Sequence, residues 1–175
     1  MDDMARTLEP MIPALRRYAR ALARDRSAAD DLVQDCLERA IVHWGQRRVD
    51  GNPRAWVFAI LQNLFNHRAR RMARSSAHVP LEDADDGALA VAAPQEKQLL
   101  YKETLDALAQ LPEDQRAALL LVAVEDLSYR EAAEILDVPI GTVMSRLSRA
   151  RERLSQITSG EARPDGAQPR LRRVK

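Results

Sequence analysis

The sequence predicts an all-α chain: two small helical domains joined by a flexible linker, the C-terminal one a helix-turn-helix. Three observations predict it. Apolar residues recur at helical spacing in several separate segments, and nowhere do they alternate as strand residues do. Aromatic residues make up only 4% and glycines number 6, while Ala, Leu, Arg and Glu abound; unbranched side chains of this kind lose little freedom in a helix. The stretch 76–94, with Pro80, Pro94, Gly87 and the acids Glu82, Asp83, Asp85 and Asp86, lacks any period and divides the pattern in two. At 175 residues the chain accommodates two such units, each near the lower size limit for a self-sufficient core. The predicted organisation is a domain over 1–75, an acidic linker over 76–94, a domain over 95–158 and a basic, disordered tail over 159–175.

Each element has a local reason. Ile12, Leu15, Ala19 and Leu22 form a helical stripe across Ile12 to Ala23, with Arg16, Arg17 and Arg20 off it. Ser27, followed by Asp30 in the first turn, reads as the cap of a second helix running to about Trp44. After the polar stretch GQRRVDGN, Asn52-Pro53 opens a third helix with a side-chain cap and Pro at the first helical position, and that helix extends to about Arg74. Its buried stripe is Val57, Ile60, Leu61 and Leu64. Helices resume from Gln95 to Gln110 and from Glu113 to Val124, and twice more after Ser128 and Thr142. Ser128 and Glu131 fit a capping box. Pro139 ends the helix before it, Gly141 suits a turn, and Thr142 suits the cap of the last helix.

The formal net charge of +1 hides a segregated pattern. Acids gather at Asp30, Asp31, Asp35 and Glu38; arginines gather at Arg68, Arg70, Arg71 and Arg74, at Arg146, Arg149, Arg151 and Arg153, and in the tail. Separate basic and acidic faces suit nucleic acid on one side and a basic protein surface on the other. Cys36 stands alone among apolar helix neighbours, so it reads as a buried core residue, and the three histidines show no metal-ligand spacing. No segment approaches the ~20 apolar residues of a membrane span, and no signal peptide opens the chain, so a cytoplasmic protein without membrane insertion is expected. No nucleophile has a partnered base and no glycine-rich phosphate loop occurs, so neither catalysis, a cofactor nor a metal is expected.

Two surfaces carry the functional reading. On the last helix Val143, Leu147, Ala150 and Leu154 share the buried side. Ser145, Ser148 and Glu152 therefore point outward, with Met144 and Arg149 beside them and Arg146 and Arg153 on the other flank. A polar, cationic helix face of this size fits a major groove. On the third helix Trp56, Asn63, His67, Arg70 and Arg74 form a second line beside the apolar stripe. An aromatic face, an amide, an imidazole and guanidinium groups in one row suit unstacked single-stranded bases and their phosphates. Asp31, Gln34, Asp35 and Glu38 share one face of the second helix, which makes an acidic docking patch. Each surface has a plainer reading: a solvated charged face for the acids and the arginines, and a core anchor for Trp56.

These residues also carry a family resemblance. The run LPEDQRAALLLVAVEDLSYREAAEILDVPIGTVMSRLSRARERL, Leu111 to Leu154, resembles region 4 of the extracytoplasmic-function (ECF) sigma factors of bacterial RNA polymerase. RRYARALARDRSAADDLVQDCLERA, Arg16 to Ala40, with NPRAWVFAILQNLFNHRARR, Asn52 to Arg71, resembles their region 2. The resemblance implies a factor that directs core polymerase to promoters. Asp30, Asp31, Gln34, Asp35 and Glu38 would grip a basic coiled coil of the largest polymerase subunit. Val49, Asp50, Gly51, Asn52 and Asn63, with Trp56, His67, Arg70 and Arg74 adjacent, would hold the opened strand of the -10 element. Thr142, Met144, Ser145, Arg146, Ser148, Arg149 and Arg151 would meet the -35 duplex. It also implies an anti-sigma protein as a partner. Two other readings stand beside it: a sigma mimic that titrates an anti-sigma protein without engaging DNA, and an independent helix-turn-helix repressor, which would need a dimerisation surface the sequence does not display.

Overall fold

The computed structural model describes residues 2–48, 50–75 and 95–159. Among them the chain is all-α and contains no strand. The expected linker over 76–94 and the tail beyond Ser159 lie outside the described residues.

The N-terminal half opens with a short helix that the apolar pattern did not announce, α1 (Asp2–Leu8), followed by a 3-10 turn over Glu9–Met11. Then α2 spans Ile12–Ala23, as its stripe requires, and buries Leu15, Tyr18, Ala19 and Leu22. It ends at Arg24, whose left-handed φ of 60° breaks the helix. The next helix, α3 (Arg26–Val42), differs at its start from expectation. Asp25, not Ser27, is the cap, its carboxylate accepting from the Ala28 N–H at 2.6 Å, while Ser27 is exposed inside the first turn. The helix also stops at Val42, and Trp44–Gln46 forms a 3-10 turn. The third large helix, α4 (Pro53–Ser75), begins as predicted, with Asn52 Oδ1 accepting from the Arg54 N–H at 3.0 Å.

These helices close on an interior in which Val57, Phe58 and Leu61 are fully covered and Leu64 nearly so. Ile60 lies half-buried at the edge of that stripe. The Tyr18 and Phe58 rings meet edge to face at 5.3 Å. Tyr18 satisfies its buried hydroxyl by donating to Gln62 Oε1 at 2.6 Å, and Gln62 donates onward to Asn66 at 2.8 Å. Burial raises the Tyr18 phenol far above its ordinary value. Cys36 is a core residue, its thiol donating to the Val57 carbonyl, and burial pushes it up to about 12.

In the C-terminal half, α5 spans Gln95–Ala109 and α6 spans Glu113–Leu119. The chain then widens into a π turn over Leu120–Val124, where the Glu125 N–H reaches back to the Leu120 carbonyl at 3.0 Å. Helix α7 (Tyr129–Leu136) carries the predicted capping box in full. The Glu131 N–H donates to Ser128 Oγ at 3.2 Å, and the Ser128 N–H donates to the Glu131 carboxylate at 2.8 Å. Asp137, at φ 52°, ends α7, and Pro139 precedes α8 (Ile140–Thr158). Gly141 and Thr142 were expected at the turn and the cap; both lie instead within the first turn of α8, so the left-handed position belongs to Asp137. The core here is Leu119, Leu120, Leu121, Leu127, Ala132 and Ile135 with Val143, Leu147 and Ala150.

The two halves pack against one another, α4 lying on α7 and α2 against α5 and α6. Arg116 is buried among backbone carbonyls. It donates to Leu111 at 3.4 Å, to Ala109 at 3.5 Å and, across the seam, to Leu22 at 3.3 Å. It thereby meets the C-terminal ends of α2 and α5 with a positive charge, the sign that helix end favours. Burial lowers its pKa, and the nearby Arg24 adds to the effect.

Candidate nucleic-acid interface

Helix α8 sorts its side chains as the spacing demands. Val143, Leu147 and Ala150 are buried, Leu154 is half-buried, and Met144, Ser145, Ser148, Arg149, Arg151 and Glu152 are exposed. Arg146 sits on the flank, partly covered, its Nε 3.1 Å from an Asp114 oxygen on α6. Thr142 is half-buried, and its carbonyl accepts from Ser145 Oγ at 2.9 Å. The resulting surface is a continuous row of short hydroxyls and long cations on a helix braced from behind by α6 and α7.

On α4, Asn63, His67, Arg70 and Arg74 are exposed along one side. Trp56 is half-buried, its ring edge-on to Trp44 at 6.0 Å, and the Arg47 guanidinium covers Trp44 at 4.2 Å. Trp56 thus combines a core contact with an accessible face. In the preceding loop Asp50 is tied to Arg48 at 3.1 Å, a contact that lowers its pKa. Gly51 is exposed, its N–H donating to the Arg48 carbonyl at 3.2 Å, and Val49 lies outside the described residues. Asn52 donates to Glu131 of the other half at 2.5 Å.

The acidic patch on α3 divides. Asp31, Gln34 and Glu38 are exposed, with Gln34 donating to Glu38 at 3.1 Å. Asp35 is half-buried and held by Arg68 at 2.6 Å, while Asp30 lies 3.8 Å from Arg20 and 4.0 Å from Arg26. Sequence reasoning did not single out Glu125, whose side chain is 0% exposed. It accepts from Arg17 Nε and Nη2, both at 3.0 Å, and from Arg54 Nη2 at 2.6 Å. Burial pushes its carboxyl above the ordinary range, and the two guanidinium groups pull it back. Among the described residues no cluster of His, Cys, Asp and Glu could hold a metal, and no helix is long and apolar enough to cross a membrane.

Two helical modules, the second presenting an exposed polar and cationic helix, define a two-domain all-α protein with a surface suited to DNA. Comparison with known proteins agrees. Residues 8–62 match the Sigma2 domain of PhyR, and residues 101–154 match Sigma-70, region 4. The chain is 37% identical over 159 residues to the ECF RNA polymerase sigma factor EcfG of Rhodopseudomonas palustris, covering 89% of this chain and 85% of that one. Among solved structures, the sigma factor RpoE of Bartonella quintana, in complex with the anti-sigma factor NepR, superimposes with a TM-score of 0.74 at 32% identity. That match covers 93% of this chain and all of RpoE, 100%. The PhyRSL–NepR complex of Sphingomonas sp. Fr1 matches with a TM-score of 0.63 at 26% identity, over 94% of this chain and 96% of that one. The chain belongs to the ECF RNA polymerase sigma factors.

Proposed function

We propose that the chain directs core RNA polymerase to a set of promoters by reading the -35 duplex with α8 and holding the opened -10 strand on α4. The observation that carries this reading is the outward row of Met144, Ser145, Ser148, Arg149 and Arg151, set on a helix whose other side is core. Arg149 and Arg151 supply phosphate and base-edge donors, and the serines supply short hydrogen-bonding groups that reach a groove floor. Thr142 and Arg146, less exposed, border that row. The N-terminal half, to about Ser75, docks on polymerase through Asp31, Gln34 and Glu38, with Asp30 and Asp35 braced behind them by arginines. The half beginning at Gln95 is the -35 reader.

Melting follows from the second surface. A base pulled from the stack loses a few kcal/mol of stacking, which a preformed aromatic and amide surface returns. Trp56 and Asn63 supply that surface, with the loop at Asp50, Gly51 and Asn52 on one side and His67, Arg70 and Arg74 along the departing strand. The work is recognition and strand trapping, with the chemistry left to polymerase, and it takes place in the cytoplasm where polymerase resides. An anti-sigma protein is the expected regulator, since the structurally similar RpoE is bound to one.

The match of residues 8–62 to the Sigma2 domain of PhyR makes the mimic reading the competitor to test. A mimic has no use for the exposed Arg149 and Arg151. Run-off transcription with purified core polymerase on a promoter library separates the two. The sigma reading expects promoter-dependent transcripts that fall about fivefold or more with Arg149→Ala, the effect of losing ~1–3 kcal/mol of base discrimination. The mimic reading expects no transcript from either protein.

A further inference from the structure

Two apolar side chains stand on the outward side of an otherwise polar and cationic helix. Ile140 is 49% exposed and Met144 is 53% exposed, and their spacing sets them one turn apart on α8. The surroundings of Met144 leave it standing proud. Its outward neighbours at helical spacing are Gly141, which has no side chain, and Ser148, which has a short one. A Cβ at Gly141 would meet nothing within 4 Å, so the surface there is open. Ser145 turns its hydroxyl back to donate to the Thr142 carbonyl at 2.9 Å. Arg149 and Arg151 follow between one and two turns further along the helix.

The core does not account for this pair, because the inward side of the same turns is filled by Val143 and Leu147. Exposed apolar residues are common on protein surfaces, so exposure alone assigns nothing. The place of these two decides more. They lie on the side of α8 that the -35 reading sets in a major groove, and a methionine can match few base edges there. It has no donor for the N7 and O6 acceptors of guanine or the N7 of adenine, and its thioether is a weak acceptor for the amino groups of adenine and cytosine. The C5 methyl of thymine is the apolar group that the major groove presents. An unbranched, polarisable thioether adapts its shape to such a methyl.

We propose that Met144 determines specificity at one position of the -35 element by covering the C5 methyl of a thymine, with Ile140 completing the apolar patch. This rests on the sigma reading above and adds the base that one side chain selects. Arg149, Arg151 and the serines supply the hydrogen bonds of the interface, and Met144 removes the methyl from water. Deoxyuridine at that position keeps every hydrogen-bonding group of thymine and loses only the methyl. Cytosine loses the methyl and also brings an amino donor against a side chain that cannot satisfy it, so the order of affinity is thymine, then deoxyuridine, then cytosine.

Equilibrium binding of holoenzyme, assembled from the full chain and core polymerase, to a promoter recovered from the run-off library tests this. Each -35 thymine of either strand is replaced in turn by deoxyuridine. The expected result is one position at which the wild type weakens about fourfold, the value of one buried methyl group. Met144→Ala should bind the thymine and deoxyuridine promoters alike, with helical circular dichroism unchanged because the side chain is exposed. The proposal is overturned if the -35 element contains no thymine, or if no substitution affects the wild type. It is overturned equally if the loss is as large in Met144→Ala as in the wild type, since the methyl is then felt through DNA shape or another side chain. Promoter-dependent transcription that is indifferent to every deoxyuridine removes the methyl contact and leaves the sigma reading. A chain that yields no promoter-dependent transcript removes the sigma reading, and this contact with it.

Discussion

Adjacent residues on α8 give a sharp inside-against-outside comparison. Leu147 is 2% exposed and packs in the C-terminal core, whereas Ser148, next in sequence, faces solvent. Leu147→Ala removes buried methyl groups from a helix clamped by α6 and α7, a change that costs about 2–5 kcal/mol depending on how far the cavity relaxes. Ser148→Ala removes one exposed hydroxyl and stays within about 0.5 kcal/mol. With a urea slope of ~1–3 kcal/mol/M for a small domain, the first variant moves its midpoint down by about 0.7 M or more and the second leaves it nearly in place. Urea titration followed by circular dichroism measures both. DNA binding by holoenzyme reports the reverse order for Ser148→Ala, with affinity reduced at unchanged stability. Equal midpoint shifts for the two variants, or a larger one for Ser148→Ala, would refute the assigned orientation of α8 and the row of contacts built on it.

Three further outcomes follow from buried or paired groups. Tyr18→Phe leaves Gln62 Oε1 buried without its donor and should destabilise the N-terminal half by about 1–3 kcal/mol; Gln62→Leu in the same background should recover part of that loss in a denaturation cycle. Hydrogen bonds from Asn52 and Ser128 hold the Glu131 carboxyl below its ordinary value of 4.5. A folded pKa below the unfolded one gives stability that is present above about pH 4.5 and is lost as pH falls through the folded value. Acid titration should show this slope, and Glu131→Gln should flatten it. The Cys36 thiol, raised to about 12, should resist alkylation at pH 8 in the native protein and react at the rate of a free thiol in denaturant; fast native labelling would place it outside the core.

Much of the fold was legible because its signals are local. The capping box at Ser128 and Glu131, the Asn52-Pro53 helix start and the Val143/Leu147/Ala150 stripe each depend on residues a few positions apart, and each appears as read. The cap of α3 was not settled this way, because Asp25 and Ser27 are both good capping residues and only the packing of α2 on α3 selects between them. Thr142 likewise has the right side chain for a cap, but φ at Pro139 is already suited to a helix entry three residues earlier. Glu125 and Arg116 were invisible to periodicity. Their burial is set by Arg17, Arg54 and Leu22, up to 108 residues away in sequence. The acidic patch was legible as a helix face, but not its division into exposed Asp31, Gln34 and Glu38 and braced Asp30 and Asp35, since the bracing arginines lie on α2, α3 and α4.

The joint use of two surfaces is tested most directly by footprinting one promoter in holoenzyme, with nuclease for duplex cover and permanganate for opened thymines. The account predicts upstream protection together with downstream reactivity for the wild type. Arg149→Ala should lose the upstream protection. Trp56→Ala should keep that protection and lose the permanganate signal. Strand opening that persists undiminished in Trp56→Ala, or upstream protection that is unchanged in Arg149→Ala, would contradict it.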